Sequence, residues 1–188
     1  SSAHAGVLLL NMCAAPSADA GVVLASLASL SLVVSLEGGA SALAVADAGG
    51  LRDLVRACRG AAGSGLSDVS EGSVCELALR CVASLSGVCA SSADAVSLMC
   101  EACAVACSSG AGAALSSCAE SLFNWSREAA QRPRLLQLGG AAALVGALDV
   151  AHDGNVAAQR FATAALAHLS ADDAARAALL DAHAIAAL

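Results

Sequence analysis

Ser121-Leu122-Phe123-Asn124-Trp125-Ser126, followed at residues 135–140 by Leu-Leu-Gln-Leu-Gly-Gly, is the stretch from which the fold is read. Moved 44 places toward the C-terminus, it lands without a gap on Ala165-Leu166-Ala167-His168-Leu169-Ser170 and on Leu179-Leu180-Asp181-Ala182-His183-Ala184. A third copy is Ser26-Leu27-Ala28-Ser29-Leu30-Ser31, followed after a longer connection by Val45-Ala46-Asp47-Ala48-Gly49-Gly50-Leu51, and a fourth is Cys81-Val82-Ala83-Ser84-Leu85-Ser86. Gly6, Gly50, Gly140 and Ala184 mark one point in successive units, with the unit around Cys100 degenerate, so the step is about 40 to 50 residues. The Gly that recurs ahead of an apolar run, as in Gly50-Leu51-Arg52-Asp53-Leu54-Val55, suits a tight corner between two helices.

The composition says what those units are made of. Of 188 residues 58% are apolar, yet there is no Tyr, one Trp and two Phe (Phe123 and Phe161), so Ala, Leu, Val and Cys must form the core. Ala and Leu lead the helix-propensity scale, while strand-favouring residues are confined to scattered Val, which predicts an all-α chain. Each helix is apolar around more than one face and cannot bury itself alone; stacking neighbours makes a continuous core. The uncharged run at residues 20–36 is short for a membrane span and carries four serines, and burial inside such a stack accounts for it.

At the level of motifs the chain resembles the armadillo repeat family, with HEAT-type repeats as a close rival. In armadillo units a short first helix ends at a Gly, a second begins Gly-Ala-Ile, and a third reads like Gln-x-x-Ala-x-x-Ala-Leu-x-Asn-Leu-Ser. Gln159, Ala162, Ala165, Leu166, Leu169 and Ser170 stand in that third-helix order, with Asn155 just ahead and Arg176 and Leu179 in the following short helix. The resemblance implies a right-handed α-solenoid with three full repeats near residues 41–86, 92–126 and 128–170, and partial repeats at 1–36 and 172–188. Third helices are expected near residues 17–35, 71–86, 113–126 and 155–170, separated by loops at 37–39, 60–70, 108–112 and 149–154. Neither end carries the polar outer face of a capping repeat, from which a longer native chain is expected.

The resemblance also points to a surface. In armadillo proteins that grip extended peptides, the Asn of the third helix faces a concave groove, and Asn124 matches that position; its equivalents are Ser29, Ser84 and His168. Nuclear import receptors place a Trp four residues before that Asn, where this chain has Glu120, which disfavours an import role. Arg80, Ser84, Glu120, Asn124 and His168 are the expected groove-facing side chains. Trp125 takes the position of Leu30, Leu85 and Leu169 and is expected in the core, while Arg127, Arg132 and Arg134 read as a solvated edge.

Dedicated chemistry is not evident. Cys100, Cys103 and Cys107 share one helical face, but no second pair or nearby His completes a zinc site, so they read as core. His4, His152, His168 and His183 have no nucleophile at a local spacing, Asp172 and Asp173 suit a helix first turn, and the Gly-Gly pairs lack the Lys of a phosphate loop. A net charge of −7 with no Lys argues against nucleic acid. With nine cysteines, an odd number set mostly in apolar helical runs, reduced thiols and a cytoplasmic setting are expected.

The expectation is a non-catalytic interaction scaffold or structural subunit of a multi-subunit assembly. It has protein partners, no cofactor, no metal, no membrane span and no small-molecule substrate. The alternative is an adaptor for extended basic peptides or cargo. An enzyme would need a convergent site that local sequence does not show.

Overall fold

A computed structural model describes residues 2–14, 19–37, 39–59, 66, 68–151, 154–171, 176 and 179. Among them every regular element is helical: α1 (Ser2–Ala14), α2 (Ala20–Glu37), α3 (Gly39–Asp47), α4 (Gly50–Arg59), α5 (Val74–Ser86), α6 (Ala93–Ser109), α7 (Gly112–Ser126), α8 (Arg132–Gln137), α9 (Gly140–Ala151) and α10 (Val156–Ser170), with a 3-10 turn at Ala129–Gln131 before α8. The chain divides into two compact units, Ser1–Cys89 and Ala90–Leu188. The expected all-α class is what the structure shows. No helix of the described residues is long and apolar enough to cross a membrane.

The repeat seen in sequence is also a repeat of hydrogen bonds. Ser31, Ser86, Ser126 and Ser170 end the four copies, and each hydroxyl donates to the carbonyl three residues back, on Ala28, Ala83, Phe123 and Ala167, at 3.0, 2.6, 2.7 and 2.8 Å. For Ser86, Ser126 and Ser170 the hydroxyl satisfies a carbonyl at a helix end, where the intrahelical donors run out, whereas Ser31 makes the same bond within α2. Arg132 Nε donates to the Ser126 carbonyl at 2.8 Å, and Arg176 Nε repeats that contact on Ser170 at 2.9 Å.

The Gly-Gly corners behave the same way. Gly49 and Gly139 both sit at φ +85°, a left-handed conformation that costs a side chain-bearing residue dearly. A Cβ on Gly50 would lie 2.6 Å from the Val45 carbonyl oxygen, and one on Gly140 would lie 2.8 Å from that of Leu135. Matching bonds close the two corners: Gly49 N–H to Ala46 O (3.0 Å) and Asp53 N–H to Gly49 O (3.3 Å) in one, Gly139 N–H to Leu136 O (3.2 Å) and Ala143 N–H to Gly139 O (3.0 Å) in the other. One Gly ends a helix, and the next lets the following helix start against it.

In the first unit α1 packs on α2 and α3, and α5 lies against both α2 and α4. The Cys81 thiol meets the Leu27 carbonyl at 3.8 Å, which ties α5 to α2. In the second unit α6 packs on α7 and α9, and α10 lies against both α7 and α9. Asn155 caps α10 by accepting from Ala158 N–H at 3.1 Å, while its amide donates to Gly112 O at 2.8 Å and its Oδ1 accepts from Ser116 at 2.9 Å. The starts of α7 and α10 are thereby joined, and at their far ends Ser126 meets His168 at 3.0 Å, so the two helices run parallel.

The expected third helices fall on α2, α5, α7 and α10, with shifted ends. α5 begins at Val74 because Ser73 caps it, accepting from Glu76 N–H at 3.1 Å while the Glu76 carboxylate takes Gly72 N–H at 3.3 Å, close to a capping box. The expected loop at 37–39 is almost absent, since α2 runs to Glu37 and α3 opens at Gly39; the helices likewise reach Ser109 and Ala151. Residues 92–126 hold two helices, α6 and α7, where their neighbours hold three, which is the physical form of the degenerate unit. Much of the 60–70 loop, nearly all of 172–188, and His152, Asp172, Asp173 and His183 lie outside the described residues.

The core is the expected one of Leu, Ala, Val and Cys, with Leu30, Leu85, Leu169 and Trp125 all buried at the same repeat position. The segment 127–134 departs from expectation. Arg132 holds the end of α7, Arg134 Nη1 donates to Ser91 O at 2.6 Å, and buried Gln131 accepts from Ser91 N–H at 2.7 Å. These side chains clamp a distant loop, and Arg127 is left at the surface.

Candidate interaction surface

Of the five side chains expected to face a groove, the second unit brings three together. Glu120 and Asn124 lie one turn apart on α7, both half-buried, and His168 lies on the adjacent α10. The His168 ring stacks on Phe123, 5.4 Å between centroids and 20° between planes, and Phe123 in turn meets Phe161 at 5.6 Å and 38°. Arg80 and Ser84 lie on α5 in the first unit. There the exposed Arg80 reaches back to the buried Glu76 carboxylate at 3.7 Å, and Ser84 donates to the Arg80 carbonyl at 3.2 Å.

Phe123 and Phe161 are the residues that reading from sequence missed. A chain with only two Phe has paired them on one surface, half-buried, while its core is built without them. Phe123 occupies a repeat position that is Ala28, Ala83 and Ala167 in the other copies, and that mismatch is the signal the sequence offered.

Ser126 and His168 are a hydroxyl and an imidazole 3.0 Å apart, the spacing of a nucleophile and its base. The Ser126 hydroxyl, however, is committed to the Phe123 carbonyl at 2.7 Å, so the ring Nδ1–H is the donor to Oγ, and Ser126 is fully buried. In that arrangement the contact positions the imidazole on Phe123.

The Glu120 carboxylate makes no hydrogen bond or ion pair with a side chain among the described residues, and burial raises its carboxyl from the ordinary value. A carboxyl raised on folding binds protons more tightly in the folded than in the unfolded chain, so folding stability falls as pH rises through the interval between the two values. Glu120→Gln is therefore expected to raise the urea midpoint at pH 7 and to leave it unchanged well below the carboxylate range. Trp125 fluorescence across a pH series checks this; an equal midpoint at both pH values would show that the carboxylate carries no such cost.

The thiols sit where packing put them. Cys103 is buried with its thiol 3.3 Å from the Ala143 carbonyl, Cys100 and Cys107 flank it half-buried, and among the described residues no group of three His, Cys, Asp or Glu is placed to hold a metal ion. Burial raises Cys81 to about 12 and Cys100 to about 11, whereas the hydrogen bond from Cys103 lowers Cys107. At pH 8 the Cys81 thiolate is rarer than that of a free thiol by about a thousandfold, and the Cys103 thiol, which shares its proton with Cys107 and is buried, is raised further still, so iodoacetamide should label Cys107 ahead of Cys81 and Cys103 in the folded protein. Mass mapping over a time course reads the order.

No family model matches the chain, and no curated protein matches it. The chain is similar to the crystal structure of an engineered protein, a Northeast Structural Genomics Consortium target, at a TM-score of 0.69 and 19% identity, over 97% of this chain and 69% of the other. At that identity the likeness concerns the fold alone.

Proposed function

We propose that the chain is a non-catalytic protein-interaction module, an armadillo-type α-solenoid that holds partners along the faces of its third helices within a larger assembly in the cytoplasm. The observation that carries this reading is the pairing of equivalent helices within each unit, α2 beside α5 and α7 beside α10, with half-exposed polar and aromatic side chains on the second pair. Repeated helices stacked side by side build extended surfaces rather than closed pockets. Three helices in α3–α4–α5 and again in α8–α9–α10 favour the armadillo form over the two-helix HEAT form. Fully buried Cys58, Cys75, Cys81, Cys103 and Cys118, serving as small core residues, fit a reducing compartment.

The test is gentle purification of the full-length protein from its own cells, sizing of the particle, and mass spectrometry of what travels with it. Because the chain has no Lys, cross-linking uses carboxyl or photoreactive chemistry. Stoichiometric companions in one particle are expected. A free chain with no companion, or one whose preparation turns over a substrate and loses that activity on changing a single His or Cys, would contradict the proposal.

A further inference from the structure

Leu8 and Met12 on α1 stand 44 places before Arg52 and Arg56 on α4, the same step that carries Gly6 to Gly50. Val45 of α3 is the close neighbour of both glycines, since a Cβ on Gly6 or Gly50 would lie 3.0 or 2.6 Å from its side chain, so α1 and α4 meet beside α3 at matching points. The paired positions face solvent in both helices: Leu8 is 52% and Met12 47% exposed, and the side chains of Arg52 and Arg56 are 74% and 67% exposed. A neighbouring repeat does not cover them, because α4 packs beside α1 and still exposes Arg52 and Arg56. The fold therefore leaves the residue type open here. Where α9 carries Ala142 and Gly146, α1 sets out two large apolar side chains and α4 two arginines.

Arg59 continues the α4 row at helical spacing, so three of the nine arginines share one side of one helix. Asp53, with a side chain only 14% exposed, meets Arg52 Nε at 3.3 Å and Arg56 Nη1 at 3.6 Å through one carboxylate oxygen. That bridge holds two guanidiniums side by side and takes one of the several donors of each. The other residues of α1, α3 and α4 that carry charge are Asp47, exposed at the end of α3, and, when protonated, His4, exposed one turn before Leu8.

We propose that this face of α1 and α4 binds an amphipathic acidic helix of a partner protein, with Arg52 and Arg56 taking its carboxylates and Leu8 and Met12 its apolar side chains. Both rows repeat at i and i+4, the spacing at which a helix presents its own rows of Glu and Leu. Net charge decides the class of partner. A membrane or a nucleic acid offers a broad anionic surface that meets the field of the whole chain, at −7, whereas a short segment meets chiefly the local arginines within a Debye length. The inference goes beyond the interaction reading above, because that reading places partners on the third helices and α1 and α4 are not among them.

The probe is a fluorescein-labelled helical peptide of about 14 residues, roughly 20 Å long, made of Leu and Glu rows, and the readout is anisotropy at low and physiological salt. The wild-type chain is expected to bind it despite the like net charge. Arg52→Gln with Arg56→Gln should weaken binding by about fivefold or more at low salt, and Leu8→Ser with Met12→Ser by about tenfold. All four side chains are exposed, so far-UV spectra and thermal midpoints should stay unchanged. Arg127→Gln, which removes an exposed arginine of the other unit, should cost less than about twofold. No binding at low salt, equal losses in the Arg52/Arg56 and Arg127 variants, or indifference to the Leu8/Met12 change would overturn the proposal. So would co-sedimentation with phosphatidylserine-containing vesicles that is lost in the Arg52/Arg56 variant, which would assign the face to a membrane. Failure of the third-helix reading looks different: a peptide that does not bind while native companions remain removes this face alone, and a chain that binds the peptide but has no companions removes the other reading.

Discussion

Trp125→Ala is expected to cost about 3–5 kcal/mol of stability, the range for removing a large buried aromatic side chain. Trp125 heads the fully buried side chains of the structure and occupies, in α7, the position that Leu30, Leu85 and Leu169 fill in α2, α5 and α10. Trp125→Leu restores the residue of the other copies and should lose less. Since Trp125 is the only Trp, unfolding of these variants is followed by far-UV circular dichroism. With a urea slope of about 2 kcal/mol/M, the Ala variant's midpoint falls by about 2 M. A fall under about 0.5 M would mean that the second unit does not depend on this position.

Gly140→Ala is expected to destabilise by about 1–3 kcal/mol, although Ala is the better helix former. The added Cβ would meet the Leu135 carbonyl oxygen at 2.8 Å, and that oxygen belongs to the backbone of α8, which cannot swing aside as a side chain would. Gly50→Ala repeats the conflict at 2.6 Å from the Val45 carbonyl, so the two substitutions should act alike. Gly146→Ala is the control: it lies within α9 with open space around its α-carbon and should be neutral or slightly stabilising. Thermal midpoints of the three variants decide it, and parity between Gly140→Ala and Gly146→Ala would contradict the corner geometry.

How far such features were legible in the sequence depends on how local they are. The Gly-Gly corners and the serines that close the four sequence copies are set by residues within one turn of each other, so a recurring letter stood for a recurring bond. Helix ends were less legible, because Ser73 caps α5 through a contact that competes with Glu71 as a starting point, and nothing in residues 37–39 announces that α2 and α3 nearly meet. The roles of Arg132 and Arg134 were not legible: one reaches a helix end six residues away and the other a carbonyl on Ser91, and an arginine followed by loop residues looks like a solvated edge until those partners are in place. Phe123 and Phe161 are 38 positions apart, so their meeting exists only once α7 and α10 lie parallel. Glu120, Asn124 and His168 were nominated from repeat position, and the rings on α7 and α10 came from the fold.

The most direct test of the account is carboxyl footprinting of the chain alone and within its purified native complex, using carbodiimide-driven amidation read by mass spectrometry. Glu120 on α7 should be protected in the complex, while exposed Glu101 on α6 and Asp149 on α9 keep their reactivity. Protection of Glu101 and Asp149 with Glu120 still open would contradict the assignment of the partner surface to α7 and α10.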